Sequence, residues 1–419
     1  MSTQAQRRRN APPDSTINHA VRYVTSYLDS SMNIPQMTKT RPVAMMAAMI
    51  IGLTLRSAKR ASSGANTDTR RPDCPYDKLQ ELRGRMRRMI ETSAMSKRAI
   101  DSWPTLQDVL DARPRIYAVM QRPPMLRHPL LEEWLGCETW VKHENHNPTG
   151  AFKIRGGLNL LAQLSPDERR RGVVSASTGN HGQSIALASR MYGVTCRIFV
   201  PVGNNPDKNA AMRAYGAEVI EYGRDYDEAR LRVEELVPRE GWRYIHSANE
   251  PHLIAGVGTY AWEMLDEADL DYLFVPIGGG SGAAGCCIVR SGMAAKTKVV
   301  GVQACGADAF TRSWRGPARV TAERVNTFAE GMATRVTFDL TFGILKEQLD
   351  DIVTLDEAEL EEGVRAALRF THNLAEGSGA APLAAAKKYG STLAGKKIGC
   401  VMSGGNIDFT TLARVIARG

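Results

Sequence analysis

The chain has 419 residues and a mass of 45.9 kDa, room for a large two-domain enzyme and far more than a small stapled scaffold needs. Apolar residues make up 43% and charged residues 24%, which excludes a fibrous or wholly disordered chain. The net charge is +9 and the seven cysteines form a scattered set without a CxxC pair, so neither a disulfide framework nor a cysteine-based zinc site is expected.

Residues 1–75 hold eleven Lys and Arg against four Asp and no Glu, which places +7 of the +9 there. The basic character therefore belongs to an amino-terminal extension, and no nucleic-acid partner is expected of the remainder. The uncharged run from Val43 to Leu55 falls short of the roughly 20 residues a bilayer span needs, so no membrane segment is expected. The extension reads as mostly disordered and the protein as cytoplasmic, with organelle targeting left open by the Arg-rich, acid-poor composition. Residues 76–103 read as an accessory region, in which Asp77 to Ile100 form an amphipathic helix with Leu79, Leu82, Met86, Met89 and Ile90 near one face. Thr105, with Asp108 in the fourth position, caps the next helix, and a catalytic body is placed at 104–419.

Within the body, β-branched runs at 138–144, 172–177, 195–201, 217–222, 243–247, 271–277, 298–303 and 397–403 alternate with helical stretches at 181–192, 207–215, 225–237, 254–268, 283–294 and 356–373. That alternation predicts an α/β protein with mainly parallel strands, divided between two sheets. Ligands in such folds sit beyond the carboxyl ends of strands.

Three strands run into small-residue turns that open helices, where free backbone N–H groups can hold an anion. The first turn, Gly278 to Gly285, contains a GxGxxG, but no Asp or Glu occurs from 278 until Asp308. A dinucleotide site needs an acidic residue about 20 positions on, so the turn reads as a phosphate cradle and a nicotinamide enzyme is disfavoured. The second, Ser175 to Gln183, contains STGNHGQ and suits a carboxylate or a second anion; a plain N-cap by Ser177 or Thr178 explains only part of it. The third, Met402 to Ile407, offers the Ser403 hydroxyl to a polar ligand edge. Beside these, the string from Glu144 to Gly157 puts Lys153 near the start of a helix, where a cation is disfavoured. That points either to pairing with an anion or to an amine of lowered pKa, and with Phe152 beside it to a Schiff base with a phosphorylated aldehyde.

The motifs NPTGAFKIRGG, STGNHGQ, GGGSGAAG, EGSGAA (376–381) and SGGN, in this order, resemble the fold-type II pyridoxal-5'-phosphate enzymes, specifically the threonine/serine dehydratase branch, over about 104–419. The resemblance implies a two-domain, tryptophan synthase β-like fold, with a large subdomain near 104–171 and 254–419 and a small one near 172–253. It implies pyridoxal 5'-phosphate bound to Lys153, which also moves the α-proton, with Phe152 packed on the ring. By the same resemblance Asn180 bonds the 3'-oxygen, and Gly278, Gly279, Gly280, Ser281 and Gly282 cradle the phosphate. Ser403 bonds the ring nitrogen and Glu376 lies close to cofactor and substrate. Ser177, Thr178, Gly179, Asn180 and His181 hold the substrate carboxylate.

The implied reaction is β-elimination from L-threonine or L-serine to a 2-oxo acid and ammonia. Alternatives are an amino-acid racemase or a lyase for another hydroxy amino acid, such as a hydroxyectoine-derived or 3-hydroxyaspartate substrate. Thr178 keeps racemase side activity open, because a hydroxyl on the opposite face of the cofactor could return a proton. The chain ends soon after SGGN, so feedback inhibition by isoleucine is not expected. Gln303 and Ala309 stand where the related racemases have metal-binding carboxylates, so no metal is expected there. His143 and His146 resemble half a metal site without a third ligand and read as structural; Cys286 and Cys287 read as packing residues. A homodimer or homotetramer is expected from the resemblance alone.

Overall fold

The computed structural model describes residues 103–418; the basic extension at 1–75 and the helix expected over 77–100 lie outside the described residues. Thr105 caps the Leu106–Tyr117 helix through a reciprocal pair: its hydroxyl accepts from the Asp108 N–H, and the Asp108 carboxylate accepts from the Thr105 N–H.

Ten strands are formed among the described residues: β1 (Met125–Arg127), β2 (Glu138–His143), β3 (Val173–Ala176), β4 (Cys196–Val200), β5 (Glu218–Glu221), β6 (Arg243–Tyr244), β7 (Tyr272–Pro276), β8 (Lys298–Ala304), β9 (Asp351–Leu355) and β10 (Lys397–Met402). They make a four-stranded sheet, β5-β4-β3-β6, and a six-stranded sheet, β1-β2-β10-β7-β8-β9. Every pairing is parallel except β1 on β2. The α/β architecture with two mainly parallel sheets is as the alternating pattern predicts. The buried strands β3, β7 and β10 are near-continuous apolar runs, as parallel strands covered on both faces require.

Two strands escaped the sequence reading, β1 and β9. Both are short edge strands, and β9 buries only Ile352 and Leu355. β1 contains no β-branched residue and β9 buries only one of its β-branched residues, so in both the pairing partner decides the state. The helix expected at 356–373 is instead an α-helix at Glu357–Ala366 that widens into a π-turn at Ala367–Thr371 and stops at His372, whose φ is +56°.

The chain's last strand inserts between two earlier ones: β10 pairs with β2 on one side and with β7 on the other. Met402 lies opposite His143, Phe152 donates its backbone N–H to the Ser403 carbonyl at 2.9 Å, and Ala151 bridges to Gly404. Segments far apart in sequence thus meet at the ends of neighbouring strands. A buried ion network supports this region from below. The Arg155 guanidinium, fully buried in the Lys153–Ala162 helix, grips Glu144 at 2.7 and 2.8 Å and Glu263 at 2.7 and 2.9 Å. Lys142 pairs with the same Glu263 at 2.6 Å.

Candidate active site

Four segments leave the carboxyl ends of β2, β3, β7 and β10 and converge on one cavity. It is lined by Phe152, Lys153, Ser177 to His181, Gly278 to Gly282, Glu376 and Ser403, among others. All fourteen residues singled out from the sequence are brought together there. The cavity encloses about 120 Å³, where a single water needs roughly 10–15 Å³, so it takes an organic ligand rather than one bridging water.

Lys153 is the first residue of its helix, with Phe152 as the cap. Its Nζ meets the Ser281 hydroxyl at 2.9 Å and donates to the Ser247 carbonyl at 3.4 Å. No carboxylate forms an ion pair with it among the described residues, and burial lowers its pKa to about 8. An amine so placed is a usable nucleophile at physiological pH. Phe152 packs edge-on against Tyr260, with ring centroids 5.8 Å apart.

The turn after β7 is a backbone cradle. Gly280 has a φ of +88° and precedes the twelve-residue Ser281–Gly292 helix, whose first N–H groups are free of intrahelical partners. A Cβ on Gly278 would stand 2.0 Å from the Gly331 carbonyl oxygen. Gly278→Ala is therefore expected to push the loop out of register and weaken cofactor retention by about tenfold to a hundredfold. A titration followed by cofactor absorbance measures this; unchanged affinity would mean that the phosphate lies elsewhere.

After β3, the Ser177 hydroxyl accepts from the N–H groups of Gly179 and Gly182 at 3.1 and 2.8 Å. That ties the loop to the start of the Asn180–Tyr192 helix, whose positive end favours a carboxylate. Asn180 is held from two sides, donating to Glu376 Oε1 at 2.6 Å and accepting from Asn406 Nδ2 at 2.8 Å. The buried His181 shares a hydrogen bond with the Ser175 hydroxyl at 3.0 Å, and its Nδ1 has no partner among the described residues. Burial, reinforced by Lys153 and His246, lowers its pKa to about 3, so it is neutral at pH 7. Ser403 is buried, and its Oγ lies 3.4 Å from the Ser378 carbonyl.

These residues fit a phosphorylated aldehyde. Lys153 offers an amine that burial makes easier to deprotonate, the Gly278–Gly280 turn and the helix terminus offer N–H donors with no Cβ before Ser281, and Ser403 offers a hydroxyl.

The structure adds residues the motifs did not reveal. Lys208, Tyr226, Ser247, Glu330, Gly331, Ala333 and Thr334 also line the cavity, as does Ser378 from within the EGSGAA string. Lys208 is buried and forms an ion pair with Glu330; the Tyr226 hydroxyl contacts Ser247 Oγ at 2.9 Å. Glu330 lies in a segment with little regular structure between β8 and β9, which gave no periodic signal. The only sequence cue for Lys208 is a Pro206 that starts its helix.

The other candidates are accounted for by packing. His143 contacts His128 through Nε2 atoms 3.0 Å apart, stacks on His146, and has a pKa lowered to about 3 by burial and then by the neighbouring His128. His146 in turn bonds Asn373. Gln303 accepts from the N–H and hydroxyl of Thr311, both at 2.8 Å. Cys286 and Cys287 are fully buried. No group of three or more metal-ligating side chains occurs among the described residues, and no described helix is long and apolar enough to cross a membrane.

Residues 118–404 match the sequence profile of a family described as pyridoxal-phosphate dependent enzymes. The chain is 37% identical over 319 residues to the L-threonine ammonia-lyase of Thermotoga maritima, covering 75% of this chain and 79% of that one. It is 34% identical to the serine racemase of Schizosaccharomyces pombe, over 75% of this chain and 98% of that one. It is 35% identical to the L-threo-3-hydroxyaspartate ammonia-lyase of Saccharomyces cerevisiae, over 75% and 97%. The solved processed form of threonine deaminase isoform 2 from Solanum lycopersicum superposes with a TM-score of 0.70 at 31% identity, covering 74% of this chain and 92% of that one.

Proposed function

Since the chain belongs to the pyridoxal-phosphate dependent enzyme family, we propose that it eliminates the hydroxyl from L-threonine or L-serine, giving a 2-oxo acid and ammonia. The observation that carries this reading is the placing of Lys153, buried without a carboxylate partner and with its pKa lowered, beside the glycine cradle and the Ser403 hydroxyl around one cavity.

Pyridoxal phosphate, when bound, supplies an electron-accepting ring beside the α-carbon. The protein's own residues do the rest. The Gly278–Gly282 turn and the helix it opens hold the phosphate by backbone N–H groups. Lys153 would anchor the aldehyde, and its unprotonated Nζ would take the α-proton. The Ser177–His181 loop receives the α-carboxylate at a helix amino terminus, with neutral His181 adding no charge. Asn180, fixed by Glu376 and Asn406, is set to bond the ring's 3'-oxygen. Ser403 presents a hydroxyl rather than a carboxylate to the ring nitrogen, so that nitrogen is not kept protonated and prompt loss of the β-hydroxyl is favoured.

A second reading rests on Thr178, which lines the cavity and could return a proton to the opposite face of the α-carbon. The purified protein loaded with pyridoxal phosphate separates the two. Equimolar 2-oxobutyrate and ammonia from L-threonine are the expected products. D-amino acid without 2-oxo acid would replace the lyase by a racemase. A subdomain around β3–β6, an oligomeric assembly and a cytoplasmic location complete the proposal.

A further inference from the structure

The cavity's charge is unevenly committed. Among the described residues that line it, only Lys153, Lys208 and His181 can carry positive charge, and Glu330 and Glu376 are the acids. Lys153 is taken by the cofactor in the proposed reaction, and His181 is neutral at pH 7 because it is buried. That leaves Lys208. Its side chain lies over the loop proposed to hold the substrate carboxylate: a Cβ on Gly179 would be 2.9 Å from its Cδ and 3.5 Å from its Nζ. Burial draws the ammonium down, but the carboxylates of Glu376, Glu330 and Asp408 more than offset this and hold its pKa above the ordinary lysine value. Unlike Lys153, whose charge burial disfavours, it is held charged by these carboxylates, and Glu330 occupies it.

A substrate with a second carboxylate would enter a cavity whose one permanent cation is already paired and faces further acids. Desolvating an unpaired carboxylate there is unfavourable, whereas a methyl or hydrogen at the same position meets no such cost. Resting on the proposed lyase reading, we propose that the Lys208–Glu330 ion pair is a specificity determinant that confines the enzyme to β-hydroxy amino acids with uncharged side chains. Freeing Lys208 from Glu330 converts it into a receptor for a β-carboxylate.

Glu330→Gln tests this directly. The ratio of kcat/KM for L-threo-3-hydroxyaspartate to that for L-threonine is expected to rise about tenfold, the scale of a single new charge-assisted hydrogen bond to the substrate. The effect should appear mainly in KM for the acidic substrate and vanish in the Lys208→Met/Glu330→Gln double variant. Glu330→Gln also removes one tie between the irregular segment and the small sheet. Arg335→Gln controls for that, because Arg335 joins the same segment to Asp225 and Asp227 at 3.2 and 2.9 Å without touching the pair. Its ratio should not move. An unchanged ratio in Glu330→Gln, or an equal shift in Arg335→Gln, overturns the proposal.

Binding separates this failure from failure of the lyase reading. Calorimetry of the pyridoxal-phosphate-loaded protein with succinate and butyrate needs no turnover. Succinate should bind about tenfold tighter to Glu330→Gln than to the unsubstituted protein, with butyrate unchanged; equal succinate affinity overturns the assignment even if no hydroxy amino acid is consumed.

Discussion

Replacing Lys153 by alanine is expected to lower kcat for 2-oxo acid formation by about 10³-fold to 10⁴-fold and to abolish covalent retention of pyridoxal phosphate. No other group lining the cavity can take over. Lys208 is held charged by its carboxylate neighbours, and His181 faces the Ser175 hydroxyl. The pH dependence of cofactor attachment gives the same assignment a finer test. Burial lowers the Lys153 pKa from the ordinary lysine value to about 8, and only the unprotonated amine attacks the aldehyde. Attachment to the cofactor-free protein should therefore accelerate as pH rises through about 8 and level off above it. A midpoint near the ordinary lysine value would mean that Nζ is solvated or paired with an acid. Absorbance after rapid mixing across pH 6 to 10 distinguishes these outcomes, and the residual kcat of Lys153→Ala shows whether the α-proton has another route.

The second large effect is on stability. Arg155→Met is expected to destabilise the fold by about 3–5 kcal/mol, the cost of stranding a buried ion-pair partner. Glu144 loses its bidentate arginine, and Glu263 is left to Lys142. At about 2–4 °C per kcal/mol for a chain of this size class, the thermal midpoint should fall by at least roughly 6 °C. The sign of the pH dependence follows from Glu263. Burial alone would raise its pKa, but Arg155 and Lys142 lower it below the ordinary glutamate value. Its contribution is complete above that value and is lost as pH falls through the lowered one. In Arg155→Met that lowering is lost and the stranded buried carboxylates take up protons at higher pH, so the loss of stability should be larger at pH 7 than in acid. Calorimetric scans at pH 7 and pH 5 check both, and a midpoint within about 2 °C of the unsubstituted protein at pH 7 would assign the network little net weight. Because Arg155 stands two residues after Lys153 in the same helix, the network also fixes the helix that presents the reactive amine.

The catalytic strings were legible because each pairs a strand end with small residues and a helix start, a local arrangement that any anion-binding turn demands. Lys153 was conspicuous for the same local reason, a cation where a helix disfavours one. The alternation of apolar runs marked the α/β class and eight of the ten strands. The two it missed are edge strands of three and five residues.

What remained hidden depends on contacts between distant parts of the chain. Placement of β10 between β2 and β7 sets Ser403 beside Phe152, and no property of the segment 397–402 names those neighbours. Asn180 was marked by its motif, but its tethers run to Glu376 and Asn406, 196 and 226 positions away. Lys208 and Glu330 are 122 residues apart, each unremarkable in its own surroundings. By itself the sequence determined the local chemistry, because propensity, capping and backbone freedom act over a few residues. Only the tertiary structure decided which charges meet and which stay unpaired, because Coulomb energies and desolvation depend on distance and burial in space, not on separation along the chain.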